Sequence, residues 1–350
     1  LTEGTPGIHF DKNGVCNYCY DYVPMKPLGI EKLSTELKNY KSKKKKYECM
    51  VCVSGGRDST FVLWKIVNDF KMKVLAVTYD SPFLSEQART NVEFAVKKLN
   101  VDHIYWKYPK NVHFNTTKKH FKIWGKSPSS MMIPFLCAHC KSWNFEFYKI
   151  AREYEIPLII FGSNPLETAS FKKAGMGGSR EYGKLSNIPN ILAKSIKELY
   201  ANPDYLKANW GIVLKMYLGA SHNTPYQRFM NKDINVIRLF DYIGWDEKTV
   251  ESTIAENLGW KKSTEVEATW RFDCRLDYIR RVLYHSTIGV TEIRDFFSKM
   301  IRENMLTRDE ALERLKREEK VPKNTFQSVL SELSLSTSDF NLNISDDILL

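Results

Sequence analysis

SGGRDS, residues 54–59, follows the apolar run MVCV at 50–53. It ends a buried strand with two glycines, two serines, an arginine and an aspartate. Gly55 and Gly56 permit positive φ and close backbone approach. A helix starting near Asp58 and Ser59 would point its free N–H groups back at the loop, which is an anion site. Ser54, Ser59 and Thr60 add hydroxyl donors, and Arg57 adds charge. Asp58 would repel a phosphate unless it holds Mg²⁺ or caps the helix. The stretch is neither GxxxxGK[ST] nor GxGxxG. It is expected to cradle the pyrophosphate of ATP, with Asp58 as the catalytic carboxylate and magnesium ligand.

Working outward, short apolar runs alternate with helical periods. VLAVTYD (74–80), HIYWKY (103–108) and LIIFG (158–162) have the composition of further strands. Phe61, Val62, Trp64, Ile66 and Val67 fit one helix, Val92, Ala95 and Leu99 another, and 142–155 a third. Strand–helix alternation with strands buried on both faces predicts an α/β fold, a parallel sheet flanked by helices. Residues 1–24 form a small cysteine-containing knuckle and 25–46 a linker with one short helix and a lysine run. The ATP-binding domain then spans 47–262 and a helical C-terminal region 263–332. Thr307 with Glu310 forms a capping box there. The Ser/Asp/Asn-rich tail, 333–350, is expected to fray.

The chain has 350 residues with 52 Lys and Arg against 41 Asp and Glu, a net charge of +11. That favours a polyanionic ligand: nucleotide, sugar nucleotide or RNA. No run of about 18 apolar residues exists, so no membrane span is expected. The first residues carry no signal-peptide pattern, and the seven cysteines are an odd count, which argues against a disulfide framework and for a cytoplasmic protein. The chain begins without Met, so upstream residues are expected. Cys49 and Cys52 alternate on a strand and read as core. Cys16 and Cys19 are spaced for zinc but are only two ligands. Cys137 and Cys140 form a second CxxC, and Cys274 stands apart.

SGGRDS after an apolar strand resembles the PP-loop ATP pyrophosphatase superfamily. That resemblance implies that ATP adenylates a substrate oxygen, pyrophosphate leaves, and nitrogen or sulfur displaces AMP. It implies adenine near Tyr79 and Asp80, and nucleotide contact at Gly162 in FGSN (161–164). TPGIHFDKNGVCNYC (5–19), RLFDYIGWDEKTV (238–250), LGWKK (258–262), TWRFDC (269–274) and MIRENMLTRDEAL (300–312) together look like the N-acetyl sugar amidotransferase branch. This narrower resemblance implies conversion of an acetamido to an acetamidino group on an N-acetyl sugar or sugar nucleotide during surface-glycan (lipopolysaccharide) biosynthesis. Ammonia would come from a glutaminase partner. The order Cys137, Cys140, Cys274 also resembles the ligands of a catalytic [4Fe–4S] cluster in sulfur-inserting relatives, implying thiolation of tRNA or a small molecule. A non-catalytic nucleotide-binding protein is the third reading.

Other residues are weighed on chemistry alone. Lys141 and Arg152 read as phosphate contacts or a solvated helix face, and His139 as a proton shuttle or a passive loop residue. Arg271 and Asp273 read as a pair orienting the segment beside Cys274. Trp143 and Phe145 read as core. The glycine-rich basic stretch 172–184 reads as a lid over substrate phosphates or as disorder.

Overall fold

The computed structural model describes residues 1–175, 188–219 and 225–350. Among these, five strands form one sheet: β1 (Cys49–Cys52), β2 (Val74–Tyr79), β3 (Asp102–Trp106), β4 (Leu158–Phe161) and β5 (Asn235–Arg238). The spatial order is β3-β2-β1-β4-β5 and every pairing is parallel. Val51 sits opposite both Ala76 of β2 and Ile160 of β4, so β1 is central. The fold is therefore the parallel sheet expected, flanked by helices and followed by a helical C-terminal region. β5 departs from expectation, because the sequence beyond residue 190 reads as helical.

Helices α1 (Arg57–Asn68), α2 (Glu86–Leu99), α3 (Val112–Lys126), α4 (Asn144–Glu153), α5 (Glu247–Leu258), α6 (Leu276–Ile288) and α7 (Glu292–Arg302) position the site. The sheet divides the core. Cys49, Val51, Val74, Ala76, Leu158 and Ile160 face α1, α2, α5 and the C-terminal helices. Met50, Cys52, Leu75, Val77, Ile159 and Phe161 face α4 through Phe147, Tyr148, Ile150 and Ala151. Cys49 and Cys52 thus serve opposite faces, as strand alternation requires. Local signals set the helix ends. The Ser85 hydroxyl accepts the Ala88 N–H at the start of α2, and the Asp246 carboxylate accepts the Thr249 N–H at the start of α5. The capping box at Thr307 and Glu310 opens the helix Arg308–Glu318.

The knuckle is built around Asp11, whose carboxylate accepts the N–H groups of Asn13 at 2.9 Å and Val15 at 2.8 Å. The segment 25–46 holds the helix Ile30–Lys38, anchored by the buried Leu33 and Leu37. The tail differs from expectation. Leu333, Leu335, Phe340 and Ile348 are buried, the Asn341 N–H donates to the Gly125 carbonyl at 2.7 Å, and Leu349 bridges to Val321. A few apolar residues spaced among Ser and Asp suffice to dock the tail on α3 and α6. Among the described residues no helix is long and apolar enough to cross a membrane.

Candidate functional site

Strand order reverses at β1: the chain runs outward through β2 and β3, then returns to β4 and β5. In open α/β sheets the crevice at such a point, beyond the strand C-termini, is where ligands bind. Here a cleft of about 420 Å³ opens there, lined by residues 52–54 and 56–59, the ends of β2 and β4, and residues of the segment 269–280.

The loop Ser54–Gly56 forms its floor. Gly55 has φ +79°, and a Cβ there would stand 2.0 Å from the Ala88 carbonyl oxygen. A Cβ on Gly162 would meet the Ser59 nitrogen and the Asp58 carbonyl oxygen at 2.9 Å. Both glycines are thus demanded by packing, and they let α1 start against β4. The Ser54 and Ser59 hydroxyls lie 3.0 Å apart, and the Ser54 N–H donates to the Ser59 hydroxyl. The N-terminus of α1 faces the cleft and favours an anion there.

Two charged residues of the loop turn inward. Arg57 is only 3% exposed; it donates to Asp58 at 2.8 Å, Glu247 at 2.7 Å and Thr269 at 3.1 Å. Its guanidinium also lies over the Trp245 ring, 4.7 Å from the centroid. Its charge is neutralised there, so it is not a free phosphate ligand. Asp58 accepts through Oδ1 from Arg57 and from the Trp245 indole N–H at 3.0 Å, while its buried Oδ2 has no hydrogen-bond partner. An orphaned buried carboxylate oxygen normally costs stability. Beside an anion loop it fits Mg²⁺, which takes one or two carboxylates and completes its shell with phosphate and water. The Thr60 hydroxyl is engaged with the Gly56 carbonyl at 2.8 Å and is fully buried, so it does not face the cleft.

The opposite wall was only partly legible. After β4, Pro165–Glu167 forms a short turn capped by Asn164, which brings Glu167 into the cleft. Burial pushes the Glu167 carboxyl up to about 7; Asp58 and Asp273 raise it further, while Arg271 and Arg57 oppose. Asp273 receives a hydrogen bond from Ser54 and abuts Gly56, and its carboxyl is also raised by burial. Asp273 therefore braces the loop. The pair expected between Arg271 and Asp273 does not form: Arg271 reaches Glu292 at 3.4 Å and the Glu167 carbonyl at 3.2 Å.

Cys140 and Cys274 line the cleft together. The interaction between the two thiols raises Cys140 and lowers Cys274. Behind them runs a buried relay. Tyr79 OH lies 2.5 Å from His113 Nδ1, and His113 Nε2 lies 3.7 Å from Cys140 Sγ. Burial holds His113 neutral, with its pKa down to about 3, and keeps Tyr79 a phenol. A phenol donating to Nδ1 leaves the ring proton on Nε2, facing the Cys140 sulfur. His139 stacks on His113 at 5.0 Å and is likewise kept neutral by burial, so it does not titrate near pH 7 as a shuttle.

Not every expected residue joins the cleft. The Asp80 carboxylate pairs with Arg89 at 2.5 Å, away from the lining, whereas Tyr79 and Ser81 are part of it. Cys137 is buried in the apolar core beside Leu136 and Ala138, within electrostatic reach of Cys274. Among the described residues no group of three or more His, Cys, Asp or Glu side chains is arranged to hold a metal ion. Cys137, Cys140 and Cys274 do not converge as such a group among the described residues. Cys16 and Cys19 have sulfurs 3.6 Å apart. Arg152 bonds Asp233 and Asn231 on an exposed face. Trp143 packs on Phe147 and Phe161 but also lines the cleft. Residues 176–184 of the expected lid lie outside the described residues.

Residues 276–347 match the family model for the LPS biosynthesis protein WbpG-like, C-terminal domain. The match takes in the docked tail and leaves the sheet and its glycine loop outside. An uncharacterized protein of Methanocaldococcus jannaschii is 28% identical over 99 residues, 27% of this chain. The match spans 35% of that curated relative's length. Among solved structures, the U34-tRNA thiolase NcsA from Methanococcus maripaludis, with its [4Fe-4S] cluster, has a TM-score of 0.37 at 11% identity, covering 91% of this chain and 82% of its own. NMN synthetase from Francisella tularensis has a TM-score of 0.26 at 14% identity, covering 71% of this chain and 100% of its own.

Proposed function

We propose that the chain is an ATP-dependent amidotransferase that converts the acetamido group of an N-acetyl sugar to an acetamidino group. The observation that carries the ATP half of this reading is the Ser54–Gly56 loop at the sheet's reversal point, with the unpartnered Asp58 Oδ2 beside it. The WbpG-like C-terminal region supports a sugar acceptor in lipopolysaccharide assembly.

The amide oxygen attacks the α-phosphorus of ATP. An O–P bond forms, the bond to the β-phosphate breaks, and pyrophosphate leaves. Adenylation replaces a poor leaving group, oxide or hydroxide, by AMP. Ammonia from a glutaminase partner then adds to the activated carbon, and AMP departs with the C–O electron pair. The α1 N-terminus with Ser54 and Ser59 binds phosphate, and Asp58 would hold Mg²⁺, which offsets charge on the leaving pyrophosphate. Glu167, with a carboxyl near neutrality, accepts the proton released by the attacking nitrogen.

A second reading, sulfur insertion, is favoured by the Cys140–Cys274 pair in the same cleft. Cys274→Ser separates the two. With ATP, an N-acetyl sugar and ammonia, the variant keeps pyrophosphate release within about threefold of wild type if nitrogen is the nucleophile, since an uncharged pair contributes little beyond packing. Complete loss in the variant, with sulfide rather than ammonia supporting wild-type turnover, would favour sulfur.

A further inference from the structure

Asp58 stands at the inner end of a row of charged side chains that begins in the C-terminal region. Arg314, on the helix Arg308–Glu318, grips two carboxylates at once. Its Nε and Nη2 donate to Glu318 at 2.6 and 3.0 Å, and its Nη1 and Nη2 donate to Glu247 at 2.6 and 3.2 Å. Glu247, the first residue of α5, also accepts from Arg57 at 2.7 Å, through Oε1. Arg57 Nε then donates to Asp58 Oδ1 at 2.8 Å, and the row ends on the unpartnered Oδ2. Carboxylates and cations alternate along it in the order Glu318, Arg314, Glu247, Arg57, Asp58. Glu251 stands farther from Arg57, at 3.6 Å.

The two arginines are fixed by separate means. Arg314 lies over the Phe297 ring, 4.5 Å from the centroid, and the capping box at Thr307 and Glu310 sets the start of its helix. Arg57 lies over Trp245. Between them, Glu247 has Oε2 committed to Arg314 and only Oε1 turned to Arg57. A Glu247 released from Arg314 would be free to take the Arg57 fork through both oxygens. That would draw Nε away from Asp58, which would lose one of the two contacts holding Oδ1 inward and Oδ2 toward the cleft. The open end of the row points beyond a structural ion pair. Buried polar atoms are normally satisfied, and an exception calls for a ligand or another functional reason.

We infer that Arg314 and Glu247 are positioning residues for magnesium ATP, acting through Arg57 on Asp58. The inference rests on the reading of Asp58 as the magnesium ligand. It extends that reading to the residues that match the WbpG-like model, 276–347, which reach the nucleotide site through this one arginine although they lie outside the glycine loop. Partners that hold a metal ligand in place typically cost about tenfold or more in metal affinity when removed.

The test is calorimetric titration of the full chain with AMP-PNP, with and without Mg²⁺. The readout is the factor by which Mg²⁺ tightens binding, most of which Asp58→Asn should remove. Arg314→Gln should shrink the factor about tenfold while magnesium-free affinity changes less than about twofold. Arg314→Lys keeps the charge but not the two forks, and should shrink it about threefold with a melting curve close to wild type. The lysine variant carries the test alone if Arg314→Gln does not fold. Glu318→Gln strips Arg314 of a charged partner on the side away from the loop, and should leave the factor within about twofold. In the Asp58→Asn background, Arg314→Gln should change the factor no further. An unchanged factor in the Arg314 variants overturns the inference. An equal loss in Glu318→Gln also overturns it and makes the row a structural brace. Additive loss in the double variant overturns the route through Asp58. If Mg²⁺ does not tighten AMP-PNP in wild type, or Asp58→Asn matches wild type, the reading of Asp58 itself fails and the inference falls with it.

Discussion

Asp58 and Glu167 show how burial divides labour between carboxyl groups. Asp58 has one oxygen committed to Arg57 and Trp245 and one left over for a ligand. Glu167 has little compensation and its carboxyl is held near neutrality. The sign of the consequence is set by linkage. The folded-state pKa lies above the unfolded one, so the folded chain holds the extra proton between the two values. Stability is lost as pH rises from about 4.5 to about 7 and stays lost above. Glu167→Gln should therefore melt higher than wild type near pH 8 and level with it near pH 4. A uniform difference across that range would contradict the assignment. Glu167 gives no signal in the sequence because NPLE reads as a plain turn. Its role depends on Asp58 and Arg271, which lie far from it along the chain. The inward turn of Arg57 is hidden for the same reason: Glu247 and Trp245, which hold it, are nearly two hundred residues away.

Among the elements, the strand-end loops were the most legible because each is local. A buried strand, two glycines and a helix start announce a turn at residues 54–59 whatever surrounds it. The demand on Gly55 follows from its φ of +79° and from the Ala88 carbonyl oxygen, 2.0 Å from where a Cβ would stand. Gly55→Ala should cost about 2 kcal/mol or more and abolish nucleotide binding, because α1 must retreat from α2. Nucleotide titration and a melting curve check both parts, and an alanine variant that binds ATP normally would show that the loop tolerates the shift. β5 was not legible. Only Ile237 of its four residues is buried, and an edge strand with one inward side chain leaves no periodic signal. The cysteines were legible as spacings but not as a site. Cys140 finds Cys274 only after α6 folds back on the sheet, while Cys137 turns into the core.

For the whole molecule, the parallel sheet and the helical C-terminal region could be read from alternating patterns, whereas the tail could not. Its composition is that of a frayed end, yet Leu333, Leu335, Phe340 and Ile348 close the apolar surface between α3 and α6. Four buried side chains at about 1.5–3 kcal/mol each outweigh the polar residues between them. A chain ending at residue 332 should melt roughly 10 °C lower than the full chain. An unchanged melting temperature would mean that the tail rests on the surface without contributing to the core.

The most direct test of the central claim is pyrophosphate release from ATP and Mg²⁺ with an N-acetyl sugar and ammonia, comparing wild type with Asp58→Asn. The substitution preserves the shape of the Asp58 side chain and removes the charge that Oδ2 offers. The account predicts acceptor-dependent release of pyrophosphate and AMP in equal amounts by wild type. It predicts a fall of about a hundredfold or more in the variant, the scale of losing a group that stabilises developing charge. ADP and phosphate as products, or equal rates in the two proteins, would contradict it.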